Sequence, residues 1–446
     1  MRWLREQNLF GLAVNWRRLL GPALKGLLYL ATFVHTMPFF VRVSSSLLEN
    51  FFSSSVSFNL DTIYVNWNTS FPAITVCELY NGEKLWDLSE IQFGVEHDMH
   101  IDDFVSEIVF FHGICSSCEK CETLSCPDNF TLLLEVFRSK CHELIIECSY
   151  RNQLFDCCEQ FLPIHTEYGV CYSFNSHQAR KVPHVQYTNN RMTGAAHLNF
   201  IAAADIQLHV HAPIDVPFHY SEGMIRETVL RGNFKELVLN VIEVYNHESV
   251  LDLTMDQRRC RYAHERTNIS QQVGIYEFYS YSGCVVECTV ALQLRHCNCT
   301  SHFMAVPSKN SLPVCDHRGL KCLSYINEQL HIERKSCDCM SSCDEPEYNI
   351  IYNSADNDKE TEEEVSHIRV ALVELPTQRY VRRVAKTNLD LLISVGGLVS
   401  LFFNTSALRI VEALFLFVEY RKVLCKWPLI IFLGTRRYLH SVFRMS

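Results

Sequence analysis

NLDLLISVGGLVSLFFNTSALRIVEALFLFVEY, residues 388–420, is the stretch on which the reading of this chain turns. From Leu391 to Leu408 it runs 18 residues without a charge, and apolar character resumes from Ala413 to Val418. Together these exceed the roughly 20 residues that cross a bilayer core, so a transmembrane helix is expected over 388–419. Polar groups interrupt it: Gly396 and Gly397, then Asn404, Thr405 and Ser406, then the charges Arg409 and Glu412. Such residues are costly at membrane depth and face protein or water, which favours a helix lining a polar path over a bare anchor. Arg409 and Glu412 stand three apart, neighbours on one face that can neutralise each other, and Ser406 shares that stripe with Arg409.

The flanks of this helix give it a direction. After Tyr420 the tail holds Arg421, Lys422, Lys426, Arg436, Arg437 and Arg444 and no acidic residue, so 420–446 is expected in the cytoplasm. Arg379, Arg382, Arg383 and Lys386, just ahead of the helix, weaken the contrast. Cysteine usage points the same way. Of 21 cysteines, 20 lie between Cys77 and Cys343 and the last, Cys425, falls in the tail. An even number on one side is what an oxidised, disulfide-stapled ectodomain requires. Sequons at Asn68, Asn129, Asn268 and Asn298 lie in the same region, where glycosylation is expected; the one at Asn404 falls inside the membrane and is expected to stay unused.

Toward the N-terminus, residues 1–23 form a basic cytoplasmic start with Arg2, Arg5, Arg17 and Arg18. A first transmembrane helix is expected over 24–43, a poor one because Lys25, His35 and Pro38 interrupt Leu24 to Val41; a signal peptide is the alternative. With two spans, both termini are cytoplasmic and 44–387 is extracellular. At 446 residues and 48% hydrophobic content, the chain can build that domain alongside its membrane helices. Within it, VSFNLDTIYVNWNTSFPAITVCE reads as strands of a half-buried sheet, residues 79–113 as acidic helices, and Thr131 to Ile146 as a helical run. Residues 195–250 and Ile368 to Leu375 read as further strands, so the sheet joins distant segments. Cys284 to Leu294 suits a helix, with Cys284 and Cys288 on one face and a strand or helix carrying Cys337 and Cys339 against it. Asp356 to Glu364 is an acidic, solvated loop.

One cluster invites other chemistry. Cys115, Cys118, Cys121, Cys126 and Pro127 read C-x2-C-x2-C-x4-C-P, one residue off a ferredoxin run, and the same thiols suit zinc. The spacing and the oxidising compartment favour disulfides, so no metal and no cofactor is expected. The 20 histidines form no H-E-x-x-H, and G-x-S-x-G and phosphate-binding glycine loops are absent, so an enzyme is not expected. With a net charge of -10, no nucleic-acid partner is expected either.

A resemblance to a known family rests on specific residues: FPAITVCE at Phe71 to Glu78, GVCYSFN at Gly169 to Asn175, and QRRC ending at Cys260. YSGCVVEC through CNC, VC, CL and CDCMSSCDEPEY follows from Tyr281 to Tyr348, then ISVGG and LxxVE from Leu408 to Glu412. Over 58–420 the chain resembles the degenerin and epithelial sodium channel family, within it the insect pickpocket branch. The resemblance implies a trimer whose subunits each have two transmembrane helices and a large disulfide-rich α+β ectodomain, with a palm sheet, a finger and a thumb, the second helices surrounding the pore. It also implies the pairs Cys77–Cys171, Cys260–Cys343, Cys284–Cys339, Cys288–Cys337, Cys297–Cys322 and Cys299–Cys315. The finger cysteines 115, 118, 121, 126, 141, 148, 157 and 158 remain for four more bridges with open pairing.

The family's ion filter is a G-x-S triplet, here Asn404, Thr405 and Ser406, where backbone carbonyls replace water around the cation. Asparagine tolerates unusual backbone angles. Arg409 stands where the family has serine, which puts three cations into a homotrimer's pore unless Glu412 neutralises them. The family's His-Gly pair before the first helix is here Lys25 and Gly26. The expectation is a sodium-permeable channel subunit of the plasma membrane, gated by an extracellular stimulus and of the amiloride-sensitive type, in a homotrimer or, better, a heterotrimer with related subunits. A non-conducting modulatory subunit and a disulfide-rich membrane receptor are the alternatives.

Overall fold

A computed structural model describes residues 3–53, 55–62, 67–123, 125–179, 186–219, 224–304, 312–357 and 365–403. These fall into two compact units: Met1–Val56 with Val384–Ser446, and Ser57–Arg383. In the first unit, helix α1 runs unbroken from Trp3 to Ser53, so Lys25, His35 and Pro38 do not interrupt it. Proline withholds one N–H. Around it hydroxyls bond the same backbone, Thr32 Oγ1 donating to Leu28 O at 2.9 Å and Thr36 Oγ1 to Phe33 O at 3.3 Å. Among the described residues, Gly26–Ser53 is the one helix long and apolar enough to cross a membrane.

The second unit opens with β1 (Val56–Asp61), β2 (Thr69–Ser70) and β3 (Ala73–Glu78). Helices α2 (Gly82–Phe93) and α3 (Met99–Val109) fill the acidic stretch, capped by the side chains of Asn81 and Asp98. The next helix, α4 (Phe130–Phe137), stops short of the run expected to Ile146. At Arg138 the backbone turns extended, and the chain resumes as a single turn, α5 (Cys141–Leu144), and then a strand, β4 (Ile145–Tyr150). The cause lies elsewhere in the chain: Glu78 accepts Ser139 N at 2.8 Å and the Arg138 guanidinium donates to Glu78 O at 3.0 Å, so the middle of the run is fixed to the end of β3. Propensity is a weak prior against such contacts.

There follow β5 (Gln153–Phe155), α6 (Cys157–Gln160), β6 (Phe161–Thr166), β7 (Gly169–Phe174), β8 (Thr188–Asn189), β9 (His197–Ala202), β10 (Ile206–His211), β11 (Ile225–Val229), β12 (Asn233–Ile242) and β13 (Val244–Asn246). Then come α7 (Met255–Arg258), α8 (Asn268–Val273), α9 (Tyr281–Cys297), α10 (His317–Tyr325) and α11 (Asn327–Arg334). The chain closes the unit with β14 (Glu347–Asn357), β15 (Ser366–Leu372) and β16 (Arg379–Val384).

Strands distant in sequence make the sheets, in the orders β14-β12-β15-β9-β4-β5, β11-β10-β3-β7-β6 and β1-β16-β13. In β12 the side chains of Lys235, Leu237, Leu239 and Val241 are buried in alternation, the period of a strand with one face inward. All six residues of β3 are buried because it is central, paired with β10 and β7. Phe71, Phe161, Phe174 and Phe200 are fully buried in the core of these sheets. Each contributes on the order of 1.5–3 kcal/mol. The inward Lys235 is offset by Glu227, 2.7 Å away. After β16 the chain enters α12 (Asn388–Phe403), where Thr387 and Asp390 exchange hydrogen bonds of 2.8 and 3.2 Å that cap the helix.

Candidate functional site

Of the residues expected to line a pore, Gly396 and Gly397 lie in α12, exposed, with nothing within 4 Å of where a Cβ would stand. Asn404, Thr405, Ser406, Arg409 and Glu412 lie outside the described residues. The end of α12 packs on α1 through aromatic rings. Phe402 and Phe403 approach Phe33, Phe39 and Phe40 with ring centroids 5.0–5.9 Å apart.

Between Cys260 and Cys343 the ectodomain is a cross-linked helical body. Helix α9 starts where Ser280 accepts Gly283 N at 3.0 Å and ends at Asn298, whose φ of 56° is the left-handed cap that asparagine tolerates. Cys284 and Cys288 project from one face and bond Cys339 and Cys337, which lie in an irregular segment after α11 rather than in a second strand or helix. Cys297 bonds Cys322 of α10, Cys299 bonds Cys315, and Cys260 bonds Cys343. Gly319 is required here: a Cβ would stand 2.5 Å from Cys299 Sγ. Glu287 is buried in α9, and burial pushes its carboxyl up, yet Ile275 N and Tyr276 N donate to it at 3.0 and 3.2 Å. The body is tied to the sheets by Ser282 Oγ, which donates to Asp215 Oδ1 at 2.6 Å, and by Tyr276 OH, which donates to His165 O at 2.8 Å.

The finger is held differently. Cys115 bonds Cys118, Cys121 bonds Cys126, Cys141 bonds Cys158 and Cys148 bonds Cys157. Cys77 joins Cys171 across β3 and β7. His100 lies beside Cys121 and Cys126, a grouping of metal-ligand type. Their sulfurs are bonded to one another and offer no thiolate, so the arrangement does not suit a metal. The sequon residues Asn68, Asn129, Asn268 and Asn298 are all exposed.

The base of the ectodomain was missed by sequence reasoning. Arg379 of β16 lies between the rings of Trp67 and Tyr245, 4.4 Å from each, with Asp61 of β1 3.3 Å away. Arg382, three residues on, reaches Asn246 Oδ1 at 3.2 Å and lies over Phe58. These arginines, read as bare charges ahead of a helix, instead fasten β16 between β1 and β13.

A stapled domain of sheets and helices carried on a long apolar helix defines a membrane protein with a disulfide-rich ectodomain. The profile of the family described as amiloride-sensitive sodium channel matches residues 16–416, and the chain belongs to that family. Sodium channel protein Nach of Drosophila virilis is 25% identical over 331 residues, covering 67% of this chain and 82% of that protein. Pickpocket protein 19 of Drosophila melanogaster is 23% identical over 325 residues, covering 64% and 62%. The bile acid-sensitive ion channel of Rattus norvegicus is 23% identical over 423 residues, covering 87% and 80%. The family is one of ion channels, and the chain is one of its subunits.

Proposed function

We propose that the chain is a subunit of a sodium-permeable cation channel of the plasma membrane, gated by an extracellular stimulus. The observation that carries this reading is the extent of the family match, which runs to residue 416 and so takes in Asn404 to Glu412 as well as the cysteine series. Three subunits surround the pore, with second helices over 388–419 and carbonyls of Asn404, Thr405 and Ser406 as the filter. First helices over 24–43, cytoplasmic ends at 1–23 and 420–446, and an extracellular 44–387 glycosylated at Asn68, Asn129, Asn268 and Asn298 complete the subunit. A stimulus moves finger and thumb, pulls the segment after β15 and changes the bore.

Arg409 favours a second reading, a partner subunit that does not conduct alone. Three arginines in a low-dielectric pore oppose cations strongly unless Glu412 neutralises them. Whole-cell current in oocytes expressing the chain alone, beside Arg409→Ser and with surface biotinylation, separates the two. An amiloride-blocked sodium current from the unaltered chain supports an autonomous pore. Surface delivery of both with current only from Arg409→Ser supports the partner subunit, and silence from both at the surface overturns the pore reading.

A further inference from the structure

Cys115, Cys118, Cys121 and Cys126 form two neighbouring bridges in unlike settings. Cys115 and Cys118 are 4% and 1% exposed, and Cys115 N donates to Ser324 Oγ of α10 at 2.7 Å. Cys121 and Cys126 are half-buried, and their bridge spans a sequence separation of 5. A disulfide opens by attack of a thiolate on one of its sulfurs, so access favours opening of the second bridge over the first.

One side chain sets the second bridge apart. His100, near the start of α3, is 7% exposed, and its Nε2 lies 3.6 Å from Cys126 Sγ. Its Nδ1 is buried and has no hydrogen-bond partner among the described residues. Buried imidazoles ordinarily meet oxygen or nitrogen partners, and among the described residues the only hydrogen-bonding contact of this ring is the sulfur. The ligand atoms of His100, Cys121 and Cys126 all lie within 4.8 Å of one another. For a tetrahedral zinc ion with bonds of roughly 2.3 Å to sulfur and 2.0 Å to nitrogen, those two ligand atoms stand about 3.6 Å apart. Nε2 and Cys126 Sγ are therefore already at ligand spacing. The two sulfurs need to part to about 3.8 Å, which χ1 rotation supplies once their bond is broken.

We propose that opening of the Cys121–Cys126 bridge creates a site for a thiophilic divalent cation of the zinc type, held by both sulfurs and by His100 Nε2. The reductant is an external dithiol. One of its thiolates bonds Cys121 Sγ, the Cys121–Cys126 bond breaks, and its electron pair leaves on Cys126 as a thiolate. The second thiolate of the reductant then bonds the sulfur of the first, releasing Cys121 as a thiolate and leaving the reductant as a cyclic disulfide. The chain gains two electrons, and the two protons lost by the dithiol go to the cysteines or, when the cation binds, to water. Two sulfurs and one imidazole leave a fourth tetrahedral position for water. Closed, the bridge offers no thiolate, so the finger takes the cation only when reduced.

The test uses the full chain in lipid nanodiscs, treated with increasing dithiothreitol under argon and freed of it by gel filtration. The chain is then alkylated with or without Zn2+ and mapped by peptide mass spectrometry. Cys121 and Cys126 should be alkylated at lower dithiothreitol than Cys115 and Cys118. Zn2+ at about ten times its Kd should slow their alkylation by about tenfold, because only free thiolates react. His100→Gln should weaken the Zn2+ affinity by at least the roughly tenfold that losing an outer-shell partner costs. The first two results are read on the unaltered chain, so they stand whether or not the variant folds. Opening of Cys115–Cys118 first, alkylation unaffected by Zn2+, or equal protection in His100→Gln overturns the proposal.

Discussion

The thumb and the finger are both stapled, but at different ranges. In the thumb the bridges close sequence separations of 83, 55, 49, 25 and 16 residues. In the finger they close 17, 9, 5 and 3. A bridge stabilises mainly by the loop it closes in the unfolded chain, on the order of 4.5 kcal/mol for the longest thumb loop and about 2 kcal/mol for the shortest finger loop. The thumb is therefore a body whose parts are tied across the domain, whereas finger bridges fix local turns. From the thumb the chain passes through β14, β15 and β16 into α12.

The largest expected effect breaks this difference directly. Replacing Cys260 and Cys343 together by alanine should cost about 4–5 kcal/mol, and replacing Cys115 and Cys118 about 2 kcal/mol. Thermal unfolding of the purified full chain measures both; equal losses would remove the distinction.

Acid probes the seam where finger meets thumb. His112 follows α3, and His219 and His302 lie near it with all three imidazoles near 4, burial being the first cause in each. Unfolded, a histidine takes up its proton near 6.5, so between about 6.5 and 4 the unfolded chain binds more protons than the folded one. Stability should be unaffected above that window and fall as pH drops through it, by about 3 kcal/mol for one such histidine. His219→Gln should flatten that slope in unfolding midpoints measured from pH 7 to 4; an unchanged slope would show that His219 is not held neutral.

Gly319→Ala drives a methyl group against the Cys299–Cys315 bridge and should cost about 1–3 kcal/mol by overpacking. The same exchange at Gly26, inside α1 with open space around it, should instead stabilise, by about 0.5–1 kcal/mol. Smallest is the base: Arg379→Ala should lose about 1 kcal/mol through the Trp67 and Tyr245 stack, and Arg379→Lys roughly half of it. A charge-only role would leave lysine equal to arginine.

The two regions also differed in how far the sequence revealed them. The thumb helix is marked by its paired cysteines four apart, which put Cys284 and Cys288 on one face, while its ends at Ser280 and Asn298 lie beyond the expected Cys284 to Leu294. Its bridges follow from the ordered cysteine series of the family. In the finger, Cys115, Cys118, Cys121 and Cys126 are close enough that several pairings are sterically open, so spacing cannot choose among them. The break at Arg138 was hidden for another reason: Glu78, which causes it, is far away in sequence and no local signal marks the contact. The arginine stack at the base draws Trp67 from the irregular segment before β2 and Tyr245 from β13, and is equally invisible.

The division between a tied thumb and a locally stapled finger is tested most directly by peptide mapping of the full chain, taken from the cell surface and digested without reduction. The account predicts cross-linked peptides joining Cys260 to Cys343, Cys284 to Cys339 and Cys288 to Cys337, with Cys115, Cys118, Cys121 and Cys126 paired only among themselves. A peptide joining any of those four finger cysteines to a thumb cysteine, or free thiols at Cys337 and Cys339, would contradict it.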